Sequence, residues 1–119
     1  KNGIEQSKKI GQFFANNKIK IDKVLSSEWC RCKDTAKYAF QKFETFNALN
    51  SFYDVRFAAN EGKQIKDLKN YIKKWDDDKN LVLITHFVVI SSILNTSSSS
   101  GEIIISDKNL NIIGSFNTM

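Results

Sequence analysis

The sequence holds a single histidine, His86, placed directly after the aliphatic run Leu81-Val82-Leu83-Ile84 and Thr85. An imidazole can hold or move a proton near neutral pH, and it can attack an electrophile or steady an oxyanion. The other chemically equipped stretch is Ser26-Ser27-Glu28-Trp29-Cys30-Arg31-Cys32. Arg31 falls in the first turn of the helix expected there, off its apolar stripe. A guanidinium beside the free N–H groups and positive dipole end of a helix makes a seat for phosphate, through charge-assisted and often bidentate hydrogen bonds. Taken singly, His86 also reads as a packed histidine and Arg31 as a solvated or salt-bridged side chain. Cys30 and Cys32 with one histidine fall short of the four ligands of a structural zinc site, so no metal is expected. At spacing i, i+2 on a helix the two thiols point to different sides, which excludes a mutual disulfide.

The elements around these residues follow from apolar spacing. Residues 81–84 read as a strand buried on both faces, after the polar run 76–80, and 87–94 reads as a buried helix. His86 therefore sits at a strand-to-helix turn, the edge of an open α/β sheet where ligands bind. Residues 19–26 read as a strand ending at Ser26-Ser27. Trp29, Cys32, Ala36, Ala39, Phe40 and Phe43 then form one helical stripe, with Ser26 or Ser27 as N-cap and Glu28 suited to the dipole. Ile4, Ile10, Phe13 and Phe14 predict an earlier helix over 4–17, closed by Asn16-Asn17. Residues 45–49 predict a short strand and 50–62 a surface loop able to act as a lid. Ile65, Leu68, Ile72 and Trp75 mark a third helix. Residues 102–106 and 110–116 are β-rich and flank a turn at Asp107-Lys108-Asn109. This order fits a three-layer α/β/α sandwich with a mostly parallel sheet and an antiparallel edge, as one domain over residues 1–119.

Composition is that of a folded protein: 119 residues, 41% hydrophobic and 26% charged. No apolar run approaches the ~20 residues that span a bilayer. The net charge of +5 suits phosphorylated ligands or acidic surfaces. The lysines are scattered on helix faces, without a basic stripe or interleaved aromatic platform, and this argues against a nucleic-acid partner.

Together the two stretches resemble the histidine phosphatase (phosphoglycerate mutase-like) superfamily. Ser26-Ser27, Arg31 and Thr35-Ala36 match its Ser-Ser-x-x-x-Arg-x-x-x-Thr-Ala pattern, and Trp29-Cys30-Arg31-Cys32 is similar to a bacterial subgroup. Thr85-His86 after an aliphatic strand resembles the second-histidine motif. The segment from Gly3 to Gly11 and the pair Gly101-Glu102 fit in the same order. The resemblance implies that phosphomonoesters or phosphohistidine are hydrolysed through a phosphohistidine, without metal or cofactor. The partner would be a phosphorylated small molecule or a phosphohistidine protein. It gives Arg31 the role of phosphate clamp and His86 that of the second, phosphate-contacting catalytic histidine. The nucleophile belongs to an Arg-His-Gly motif after a strand that would precede the first helix. The chain is therefore expected to lack that nucleophile and a central strand, leaving the strands around Val24 and Leu83 without a partner. Asn50 stands in the region where many mutase-like members carry a glutamate acid, and Asp54 or Glu61 are the nearby substitutes.

Overall fold

The computed structural model describes residues 2–75, 80–99 and 102–117. The polar run at 76–79 and the pair Ser100-Gly101 lie outside the described residues. The chain alternates helix and strand. Helix α1 (Asn2–Asn16) leads to β1 (Ile21–Ser26), α2 (Cys30–Phe40) and β2 (Glu44–Thr45), with a 3-10 turn at Asn47–Leu49. A second 3-10 turn, Ala58–Asn60, runs into α3 (Glu61–Lys74), then β3 (Asn80–Ile84), α4 (Phe87–Leu94), β4 (Glu102–Ser106) and β5 (Ile112–Asn117).

The parallel sheet has the order β2-β1-β3. Strand β1 pairs with β2 on one side and with β3 on the other, in the register Val24↔Val82, Leu25↔Leu83 and Ser26↔Ile84. The resemblance leaves room for a further strand beside β1, but here β1 and β3 meet directly. Strand β1 is thereby paired on both sides, while β3, among the described residues, pairs with β1 alone. The antiparallel pair expected at the sheet edge forms instead as a separate two-stranded sheet, β4-β5. Its turn is tightened by Asp107, whose Oδ1 accepts from the N–H groups of Asn109 and Asn111, both at 2.9 Å.

Alternation along β1 sends Val24 and Leu25 to opposite faces. Leu25 joins the main core with Ala48, Leu49, Phe52, Ile65, Leu68 and Val89, drawn from β1, the first 3-10 turn and the irregular segment after it, α3 and α4. On α2, which packs against β1, Cys32 and Ala36 are buried. Helix α1 covers α2 in turn, with Phe14 edge-on to Phe40 at 5.2 Å.

Three local expectations are corrected. Helix α2 ends at Phe40, because Gln41 takes a positive φ of 69°, so Phe43 is not on its stripe. Only Glu44–Thr45 pairs as strand in the region 45–49; the rest closes into the 3-10 turn, where Ala48 and Leu49 are fully buried. The stretch 50–62 is not one surface loop, since Ser51 and Phe52 are buried and α3 already begins at Glu61.

Gly11 lies where α1 crosses α2, and a Cβ there would fall onto the carbonyl group of Ala39. Gly62, on α3, has open space around the same position. Gly11→Ala is expected to destabilise the fold by about 1–3 kcal/mol through helix displacement. Gly62→Ala should stabilise it by about 0.5–1 kcal/mol through helix propensity. Denaturant unfolding of the two variants checks both signs.

Candidate functional site

The parallel register decides what lies beside what. With Ser26 opposite Ile84, the residues that follow each strand emerge together at the C-terminal sheet edge. The ladder runs one step further through Ser27 N–H, which donates to Ile84 C=O at 2.9 Å. Ser27 Oγ thereby meets His86 Nε2 at 2.9 Å, although they stand 59 residues apart in sequence. Thr85 Oγ1 donates to Leu49 C=O at 2.5 Å and ties this edge to the first 3-10 turn.

Ser27 is the centre of a saturated network. Its hydroxyl meets Asn50 Oδ1 at 3.1 Å and accepts from Trp29 N–H at 3.1 Å. Asn50 is oriented without ambiguity. Its Oδ1 accepts from Glu28 N–H at 2.7 Å, and its Nδ2 donates to Glu28 Oε1 at 2.8 Å. Asn50, His86 and the Cys32 thiol all meet that one Ser27 hydroxyl, and whichever takes its hydrogen sets the tautomer of His86. Gln64 holds Asn50 in place by donating to the C=O groups of Ala48 and Asn50, at 3.2 and 2.7 Å.

Arg31 is exposed on the first turn of α2. Among the described residues no carboxylate forms an ion pair with its guanidinium. Its neighbour Cys32 is buried with Sγ 3.6 Å from His86 Nε2, and burial pushes that thiol up from its ordinary range. Burial first, and the Arg31 charge second, hold His86 below its ordinary value of 6.5. The two sequence-predicted residues thus lie at one edge and sense each other electrostatically. A cavity of about 400 Å³ opens beside them, lined by Glu28, Asn47, Asn50, Asn60, Lys63, Gln64 and Asp67. It shares Glu28 and Asn50 with the network, but neither Arg31 nor His86 lines it.

Several expectations change at this edge. Neither Ser26 nor Ser27 caps α2 by the usual side-chain bond; Trp29 is the N-cap residue, and the Ser27 hydroxyl serves His86 and Asn50. Trp29, expected on the buried stripe, is partly exposed and stands edge-on to the His86 ring at 5.0 Å. Asp54 is locked to Arg56 at 3.0 Å, and hydrogen bonds from Arg56 hold its carboxyl below the usual carboxylate range. Glu61 accepts from Ser92 Oγ at 2.8 Å. Neither hydrogen-bonds to His86 or Ser27. Gln64 was not legible in the sequence, because an amide carries no spacing signal, and Asn50 was singled out only as the residue at the expected acid position, not as the partner of Ser27. Among the described residues no three His, Cys, Asp or Glu side chains gather as a metal site, and no helix is long and apolar enough to cross a membrane.

The histidine phosphatase superfamily (branch 1) model matches residues 1–85, which include the Ser26-Ser27 and Arg31 stretch and end at Thr85. The chain belongs to this superfamily. Searches of curated proteins and of solved structures return no match. Members of the histidine phosphatase superfamily are phosphatases and mutases in general, which supports an enzyme at that coarse level. The α/β architecture with its parallel sheet agrees with that membership.

The lowered His86 value has a sign that can be tested. Above pH 6.5 the imidazole is neutral in both folded and unfolded chains, and it adds no pH dependence. As pH falls through and below 6.5 the unfolded chain takes the proton first, so stability declines there. Unfolding free energy measured from pH 7.5 downward should show this decline before the carboxylates titrate, and His86→Gln should flatten it.

Proposed function

We propose that the protein is a phosphatase-type hydrolase of phosphomonoesters or phosphohistidine, acting through a phosphohistidine intermediate. The observation that carries this reading is the pairing, at one sheet edge, of an arginine without an ion pair among the described residues, at a helix N-terminus, with an imidazole anchored by a hydroxyl. Arg31 supplies a fixed cation and planar donors for phosphoryl oxygens, and the first-turn N–H groups of α2 add to it. His86 supplies a further donor. Phosphate binding favours its protonated form, because a dianion offsets the charge of Arg31.

The nucleophile in this reading is a histidine upstream of Lys1. Its neutral imidazole attacks phosphorus, the leaving group departs, and water then releases phosphate. Arg31 and His86 hold the oxygens as charge shifts in the transition state. His86 acts as clamp and not as nucleophile: one ring nitrogen rests against Ser27 Oγ, and protonation on anion binding makes the other a donor. The partner is a phosphorylated small molecule or a phosphohistidine protein.

One observation favours a second reading, a non-catalytic binder of phosphorylated ligands. Asn50 cannot deliver a proton as an acid, and Asp54 is held ionised by Arg56. Turnover by the protein extended through its upstream histidine separates the two readings.

Arg31→Ala should weaken binding of inorganic phosphate or vanadate about tenfold or more, as expected for lost charge-assisted bonds. Thermal stability should change little, since the side chain is exposed. Unchanged affinity would make Arg31 a solvated surface residue. Residues 1–119 alone should bind phosphate without forming phosphohistidine. Hydrolysis by that chain, abolished by His86→Ala, would contradict the assignment of His86 as a clamp.

A further inference from the structure

Large apolar side chains are concentrated on the solvent side of this edge. Trp29 is 40% exposed, Phe57 37%, Tyr53 74% and Phe87 57%. They form two ring pairs, Trp29 with Phe57 at 6.3 Å and Tyr53 with Phe87 at 5.6 Å. The first pair reaches His86, since Trp29 is edge-on to its ring at 5.0 Å. Single exposed apolar residues need no explanation, but an exposed aromatic pair beside a phosphate seat marks a surface for a ligand.

A second observation is chemical. The position where an acid is expected holds Asn50, and the carboxylate beside it, Glu28, is engaged as the acceptor of Asn50 Nδ2–H at 2.8 Å. An alkoxide is a poor leaving group without a proton, whereas a phenol has a pKa of about 10 and leaves unprotonated far more readily. The apolar rim and a carboxylate already engaged by Asn50 thus favour the same kind of ester.

We propose that the site takes aryl phosphomonoesters, with the phosphoryl group on Arg31 and His86 and the ring against the Trp29–Phe57 pair. This rests on the phosphatase reading above. The bond from phosphorus to the aryl oxygen breaks as a bond from the nucleophilic imidazole nitrogen to phosphorus forms. The oxygen leaves with the electron pair as phenolate, and water later cleaves the phosphohistidine, giving phosphate and returning a proton. A ring bonded to phosphorus through one oxygen lies within reach of aromatic walls that begin one ring-contact distance from His86.

The test is calorimetric titration of the 119-residue chain with inorganic phosphate, phenyl phosphate and glycerol 2-phosphate. Phenyl phosphate should bind about tenfold tighter than glycerol 2-phosphate. Phe57→Ser, at an exposed position, should reduce that preference while leaving the affinity for inorganic phosphate unchanged, and Trp29→Ala should reduce it further. Equal affinity for the two esters, or a preference that survives both substitutions, would overturn the aryl assignment and leave the phosphate seat standing. Failure of all the ligands, inorganic phosphate included, would overturn the phosphate seat and the aryl assignment with it.

Discussion

The parallel pairing of β1 with β3 is the constraint on which the rest depends. Placing Ser26 beside Ile84 brings the residues after each strand to the same end of the sheet. A slip of one residue would turn Leu25 out of the core and move Ser27 away from His86. The register is held from both faces. Leu25 is locked among Leu49, Leu68 and Val89, and Val24 is buried on the other side of the strand. The hydrophobic pattern that specifies the fold is also what assembles the site.

At that edge a single hydroxyl sets the proton arrangement. Ser27 can donate once and accept twice, and Asn50, Trp29, His86 and the Cys32 thiol all meet it. Asn50 is in turn fixed by Glu28 and by Gln64 of α3. The imidazole is therefore oriented by groups on three separate elements. Partial burial and the charge of Arg31 hold its pKa below the ordinary value. An oriented ring that gains its second N–H when an anion arrives, beside a fixed cation, is suited to receiving a phosphoryl group whose charge is redistributed during transfer.

The strands and helices that carry periodicity were legible in the sequence, because burial on one face leaves a repeat of 2 or 3.6 residues. Leu81 to Ile84, the helix over Cys32 and Ala36, and the helix over Ile65 and Leu68 are of this kind. Arg31 and His86 could be singled out because a strand end followed by a helix is a recognisable place for a site. Residues 45–60 could not be read correctly. Their core contributions, from Ala48, Leu49 and Phe52, come from 3-10 and irregular backbone with no repeat to detect. Trp29 was misread because a large aromatic on an apolar stripe looks like core, whereas here it belongs to the rim of the site. The detached β4-β5 hairpin was assigned to the sheet edge because strand propensity says nothing of which partner a strand takes.

The claim that one phosphoryl group engages both Arg31 and His86 can be read directly at the imidazole. His86 is the only histidine, so its ring resonances need no assignment strategy. The measurement is a pH titration of those resonances by NMR, without and with saturating inorganic phosphate, in the native chain and in Arg31→Ala. The account predicts a value below 6.5 in the free chain, a rise when phosphate binds, and loss of that phosphate-induced rise in Arg31→Ala. A His86 titration that stays the same while phosphate binds elsewhere on the chain would contradict it.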